Sequence, residues 1–201
     1  MRTGSGLPLE LDANAGQPAS FDRYDDSKPY YGGARIGTPP CTLGFATWMG
    51  WESMMLTADH CAYGGPNSAF DVGGEFVRQF QFPNHTEDTV LLAQPGQVSP
   101  QPYLGRVWMG GEHDTTAKRV KGPSRSEIGN YVCASGAYSG ERCWARVSAV
   151  NVWHDVSLGL DNFPMVQADS LGQYAIAQPG DSGGPMFEVP SPDDGTIIAK
   201  A

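Results

Sequence analysis

Ser182 lies in the run Gln178-Pro179-Gly180-Asp181-Ser182-Gly183-Gly184-Pro185, where glycines and prolines surround one hydroxyl and one carboxylate. Glycine admits backbone conformations closed to other residues, so such a loop can bring main-chain N–H groups close to a bound group. A nucleophilic serine needs such donors in acyl transfer, when an oxygen becomes negative and must meet fixed hydrogen-bond partners. The same residue types also favour an ordinary surface turn, so the loop has to be weighed together with whatever could activate it. A hydroxyl at its free pKa is a poor nucleophile and needs an adjacent base, for which imidazole is suited near neutral pH. The base in turn needs a carboxylate to hold its tautomer and orientation.

The chain has four histidines. His85, His113 and His154 lie among turn residues or polar neighbours and read as solvated surface groups. His60 differs: it follows the apolar run Ser53–Ala58 and precedes Cys61, which could pin its backbone. A purely structural histidine is the alternative there. Among the acids, Asp88 stands directly before the apolar run Thr89–Ala93, where a carboxylate would be partly buried and need a partner. A surface aspartate at a strand start is the competing reading. Asp71, Asp114, Asp155, Asp161 and Asp169 fall in stretches that read as loops or strand ends.

The elements that must position these groups are short strands. Twenty-six glycines and 16 prolines are spread along 201 residues, and no long amphipathic helix or internal repeat interrupts them. Thr42–Trp48 and Ser53–Ala58 read as a hairpin that delivers His60 at the end of its second strand. Phe76–Phe82 reads as a strand with Phe76, Phe80 and Phe82 on one face and Val77, Gln79 and Gln81 on the other. A Pro-rich break over 94–102 separates these from further strands at Leu104–Met109, Tyr131–Ala134 and Cys143–Val152. The pattern is all-β, two small barrels or sandwiches in tandem.

Hydrophobic residues make up 40% and charged residues 17%, which suits a globular chain and not a disordered one. A net charge of −9 argues against a nucleic-acid partner. No apolar run approaches the ~18–20 residues of a membrane helix, and the N-terminus lacks the apolar core of a signal peptide. Residues 1–29 are polar and turn-rich, the composition of a flexible lead-in or the remnant of a pro-segment. Four cysteines allow three pairings. Cys41 with Cys61 and Cys133 with Cys143 is the economical choice, and the absence of C-x-x-C spacing speaks against zinc. Disulfides imply an oxidising compartment.

Three motifs then combine. Thr57-Ala58-Asp59-His60-Cys61, Asp88-Thr89-Val90-Leu91-Leu92 and Gly180-Asp181-Ser182-Gly183-Gly184-Pro185 resemble, in that order, the histidine, aspartate and serine motifs of the chymotrypsin-like serine proteases. Tyr31-Gly32-Gly33-Ala34-Arg35-Ile36, followed by Cys41-Thr42-Leu43-Gly44-Phe45, is similar to the start of the mature secreted actinomycete enzymes. Val132-Cys133-Ala134-Ser135-Gly136, with Gly140 and Cys143, resembles their second disulfide loop. The resemblance covers residues 30–201.

It implies two Greek-key antiparallel β-barrels, the first over 30–98 and the second over 99–201. It also implies a secreted, monomeric endopeptidase that cuts peptide or protein substrates without cofactor or metal, with no nucleic-acid or membrane partner. Ser182 would be the nucleophile, His60 the general base and then acid, and Asp88 the orienting carboxylate. The N–H groups of Gly180 and Ser182 would form the oxyanion hole. Asp181 would be a buried carboxylate holding the loop, its partner left open. Tyr174, Ala175, Ile176 and Ala177 would wall the specificity pocket. Tyr174 stands where trypsin-like specificity has an aspartate, which favours an uncharged side chain in the substrate.

Some positions depart from the family pattern. Asp59 replaces a small residue beside His60; it would raise the histidine pKa if near enough, whereas neighbours on a strand point to opposite faces. Ile176 replaces a cysteine, which removes a third disulfide. The sequence ends at Ala201, where the family continues, so the second barrel is expected to be incomplete. A non-catalytic binding protein on the same scaffold and an inactive fragment of the enzyme are the alternative readings.

Overall fold

A computed structural model describes residues 21–50, 52–63, 65, 67–93, 102–154, 163–191 and 195–200. The short apolar runs form strands. They are β1 Tyr30–Gly32, β2 Arg35–Ile36, β3 Cys41–Thr42, β4 Ala46–Met49 and β5 Glu52–Ala58, then a 3-10 helix Asp59–Ala62. β6 Ser68–Phe70, β7 Phe76–Asn84 and β8 Thr89–Ala93 complete the first half. The second half holds β9 Tyr103–Trp108, β10 Ala117–Ser124, β11 Tyr131–Gly136, β12 Gly140–His154, β13 Phe163–Ser170, β14 Met186–Glu188 and β15 Thr196–Lys200.

These strands make a five-stranded sheet, β4-β5-β8-β7-β6, flanked by the β2–β3 pair, and an eight-stranded sheet, β1-β9-β10-β15-β14-β11-β12-β13. The pairings are antiparallel except for β1 with β9 and β10 with β15. β1 thus hydrogen-bonds into the second sheet, although its sequence position falls within the expected first barrel. Ile36, Leu43, Met55, Val77, Phe80, Val90 and Leu92 fill the first core. Val107, Met109, Phe187 and Ile197 fill one part of the second, and Val132, Ala145 and Val147 another. Of the Pro-rich break at 94–102, residues 94–101 lie outside the described residues.

The expected hairpin forms as β4 and β5, with Trp48 opposite Ser53. β5 then pairs with β8, Thr57 opposite Val90 and Ala58 opposite Thr89. This register sets the residues that follow β5 beside the residue that precedes β8, and the Asp59 N–H donates to the Asp88 carbonyl at 3.0 Å.

The alternation expected along Phe76–Phe82 is broken. Ala69 pairs with Arg78 and Phe70 with Phe76, so Val77 is an extra residue on β7. Such a bulge shifts the inward parity, so Val77 and Phe80 are buried; a second irregularity, against β8 between Gln81 and Asn84, turns Phe82 outward at φ 54°.

Both disulfides join the near pairs, Cys41–Cys61 and Cys133–Cys143. The first closes a 20-residue separation and ties β3 to the 3-10 helix that carries His60. In the chain-entropy picture that closure contributes about 3 kcal/mol.

Residues 21–29 do not form the flexible lead-in that composition suggests; residues 1–20 lie outside the described residues. Arg23 is fully buried. Its Nε donates to the Gly111 carbonyl (3.0 Å), Nη2 to the Gly110 carbonyl (2.9 Å), and Nη1 to Ser135 Oγ and the Gly136 carbonyl (2.8 Å each). Burial pulls its pKa below the usual guanidinium value, opposed by the charges of Glu141, Asp181, Asp114 and Asp22. Nearby, buried Asp26 accepts from Trp108 Nε1 and from the N–H groups of Tyr31 and Ser27. Desolvation dominates there and pushes its pKa up to about 7.

Polar and charged residues around Arg23 look like a solvated tail in sequence, yet four acceptors from the second half of the chain converge on its guanidinium. Arg23→Met would remove all four of these donated bonds; the Gly110 and Gly111 carbonyls would keep the N–H groups of Glu141 and Asp114, while Ser135 Oγ and the Gly136 carbonyl would lose a charged donor. The substitution is expected to lower unfolding stability by about 2–4 kcal/mol, since each buried polar group that loses its partner costs roughly 1–3 kcal/mol. Urea denaturation checks this, and an unchanged midpoint would contradict it.

Candidate active site

His60 and Asp88 meet through the β5–β8 register. Asp88 Oδ2 is 2.8 Å from His60 Nδ1, and Asp88 Oδ1 accepts from the His60 backbone N–H at 2.9 Å. A carboxylate only accepts, so this contact keeps the proton on Nδ1 and leaves Nε2 with its lone pair free. Asp88 reaches both donors from φ 43°, a left-handed conformation that aspartate tolerates better than most residues. The His60 pKa is raised, first by the hydrogen bond to Asp88, against the opposing effect of burial, and further by the charges of Asp88 and Asp59.

Asp59 is not on a strand but in the 3-10 helix, fully buried, and its Oδ2 is bound by Nδ1 of His85. His85 and His113 are mostly exposed, as expected, but each pairs with an aspartate. The partner of His113 is Asp22, at 2.9 Å. Asp71 and Asp114 are turn residues that accept from the Glu75 and Gly111 N–H groups, and Asp169 accepts from Gln167 at the end of β13. Asp155, Asp161 and the side chain of His154 lie outside the described residues.

Gly180 and Gly183 adopt φ 95° and 82°, so the serine loop turns twice through left-handed backbone that glycine favours. At Gly183 space forbids any other residue. A Cβ there would overlap Thr57 Oγ1 and stand 2.7 Å from both the Ala58 nitrogen and the Thr42 carbonyl oxygen. The residue after Ser182 is thereby seated on the end of β5, from which His60 follows. Among the described residues, no acceptor engages the N–H of Gly180 or of Ser182, whereas the intervening Asp181 N–H donates to the Gln178 carbonyl.

The partner of Asp181 is the backbone itself. Oδ1 accepts from the N–H groups of Tyr138 and Ser139 (2.9 and 3.1 Å), and Oδ2 from Gln178 (2.8 Å). Gly136 must be glycine here, because a Cβ would collide with the Asp181 carboxylate.

Tyr174, Ala175 and Ile176 line a cavity of about 420 Å³ together with Cys143, Trp144 and Ser170. Ala177 is exposed and does not line it, and neither His60 nor Ser182 does. Ile176 packs onto Val132, Ala145 and Val147.

Sequence reasoning passed over two buried polar residues, Arg23 and Thr42. The Thr42 N–H donates to the Ser182 carbonyl and its Oγ1 to the Gly180 carbonyl, at 2.9 Å each. A polar residue opening the otherwise apolar run Thr42–Phe45 was the available signal. For Arg23 the flanking acids gave none.

With the geometry established, comparison with known proteins places the fold. No family model matches the chain. A glutamic acid specific serine protease is 23% identical, with 84% of this chain and 82% of that one covered and a TM-score of 0.63. An alpha-lytic protease homologue is 22% identical over 83% and 81%, with a TM-score of 0.60. A Nocardiopsis protease is 26% identical over 73% and 71%, with a TM-score of 0.51. The chain has the chymotrypsin-like serine protease fold.

Proposed function

We propose that the protein is a secreted serine endopeptidase that hydrolyses peptide bonds through an acyl-enzyme. The observation that carries the reading is the two-point grip of Asp88 on His60, which sets the imidazole in the tautomer a general base requires. Ser182 Oγ attacks the substrate carbonyl carbon while His60 Nε2 takes its proton. The carbonyl oxygen becomes negative and is held by the free N–H groups of Gly180 and Ser182. Collapse breaks the C–N bond, and His60 returns the proton to the leaving amine. Water, deprotonated by the same Nε2, then attacks the ester and releases Ser182.

The substrate is a peptide or protein with an uncharged side chain at the pocket walled by Tyr174, Ala175 and Ile176. The two disulfides suit an oxidising, extracellular setting. Among the described residues no helix is long and apolar enough to cross a membrane. A non-catalytic binding protein on this scaffold would have no use for the Asp88–His60 arrangement.

Labelling with a fluorophosphonate tests the reading: Ser182 Oγ displaces fluoride from phosphorus only when a base removes its proton. Covalent mass on the Ser182 peptide is expected. Because His60 must be neutral and its pKa is raised, the labelling rate should fall as pH drops through a midpoint above 6.5. Absence of label at Ser182 would overturn the proposal, and an acid limb below 6.5 would contradict the role of Asp88.

A further inference from the structure

Thr42 is completely buried, and all its polar groups are occupied. Its N–H and its hydroxyl hold the carbonyls on either side of Asp181, those of Ser182 and Gly180. Its own carbonyl accepts from Thr57 Oγ1 at 2.9 Å, one residue before Ala58. Its hydroxyl oxygen also accepts from the Ala137 N–H at 3.0 Å. That N–H belongs to the peptide whose carbonyl, on Gly136, takes Arg23 Nη1 at 2.8 Å.

A chain of donors therefore runs from Arg23 through the Gly136–Ala137 peptide and the Thr42 hydroxyl to the Gly180 carbonyl. A second branch starts at the same Nη1. It reaches Ser135 Oγ, while the Ser135 N–H donates to the Pro185 carbonyl at 3.0 Å, on the far side of the serine. The glycines at 180 and 183 give the loop wide backbone freedom, so besides its internal bonds among Gln178, Asp181 and Gly184 its shape depends on these outside contacts.

We infer that Thr42 is a positioning residue for the oxyanion hole, its hydroxyl and N–H fixing the Gly180–Asp181 and Ser182–Gly183 peptides, which adjoin the peptides that carry the Gly180 and Ser182 N–H groups, with Arg23 as the buried anchor of that hydrogen-bonded chain. The inference rests on the reading of Ser182 as nucleophile. Thr42 touches no substrate; it acts through the loop. Without its hydroxyl the Gly180 carbonyl loses its donor and the Ala137 N–H its acceptor, and the Gly180–Asp181 peptide keeps the hydrogen bond of its N–H to the Gln178 carbonyl but can tilt about it and carry the adjoining peptides with it. The N–H groups would then no longer converge where the oxyanion forms, and small displacements of catalytic groups are costly in rate.

Thr42→Val keeps the shape and removes the hydroxyl; Thr42→Ser restores it. For the Val variant, kcat on a peptide ester is expected to fall roughly tenfold to hundredfold, with KM within about twofold. The Ser variant should recover to within about threefold of wild type. Fluorophosphonate labelling of Ser182 should slow in parallel, with circular dichroism unchanged. If the wild-type chain labels and the Val variant labels at the same rate, the inference falls while the nucleophile stands. If the wild-type chain shows no label, both fall. A Ser variant as impaired as the Val variant would reduce Thr42 to a packing residue and also overturn the inference.

Discussion

Asp88→Asn is expected to lower kcat by roughly four orders of magnitude while leaving the fold intact, the scale of loss known for this change in the serine-protease template. The reason lies in the two contacts. Asp88 accepts through both oxygens, from the His60 backbone N–H and from Nδ1–H. Asparagine of the same shape has one acceptor and one NH₂. If its oxygen serves the backbone, the NH₂ faces Nδ1 and drives the proton to Nε2, the atom that must be a base. If its oxygen serves Nδ1, two N–H donors confront each other at the backbone. The check is steady-state kinetics on a peptide ester, with thermal unfolding as control. A variant with more than a tenth of wild-type kcat would remove Asp88 from the mechanism.

Ser182→Ala and His60→Ala are each expected to reduce kcat by roughly 10⁶, and the double variant by about the same factor as either alone. Nucleophile and base act as a unit: alanine at 182 gives the base no proton to take, and alanine at 60 leaves the hydroxyl at its free pKa. Ser182 is only partly buried and, among the described residues, its hydroxyl makes no hydrogen bond, so the Ala variant should unfold at the wild-type temperature. The measurement is hydrolysis of a peptide ester by single and double variants. Additive losses, or turnover retained by Ser182→Ala, would identify a different nucleophile.

The motif order singled out His60, Asp88 and Ser182 as candidates, and the structure brings His60 and Asp88 together. The hairpin of β4 and β5, the apolar run of β8 and both cysteine pairs were legible, because each is encoded locally. β10 was not, because Ala117–Ser124 is half-exposed along its length and holds Gly122 and Pro123. The face assignment along β7 failed for a different reason: an inserted residue changes parity, and periodicity cannot see it. Residues 22–26 were misread because their acids look solvated, whereas partners 80 or more residues away bury Arg23 and Asp26. The same limit applies to Thr42 and Asp181, whose partners come from three separate stretches of chain.

The seating of the serine loop on β3 and β5 also bears on how activity is lost. His60 and Asp88 flank the strands β5 and β8 of the first sheet and Ser182 lies in a loop feeding the second, and the serine loop rests on the first through Thr42, Thr57 and Gly183. A fluctuation that lifts the serine loop off β3 and β5 therefore separates the proposed nucleophile from its base in a single event, before the cores unfold. Turnover is then proportional to the docked population, and loss of activity on mild denaturation should precede loss of β-sheet signal.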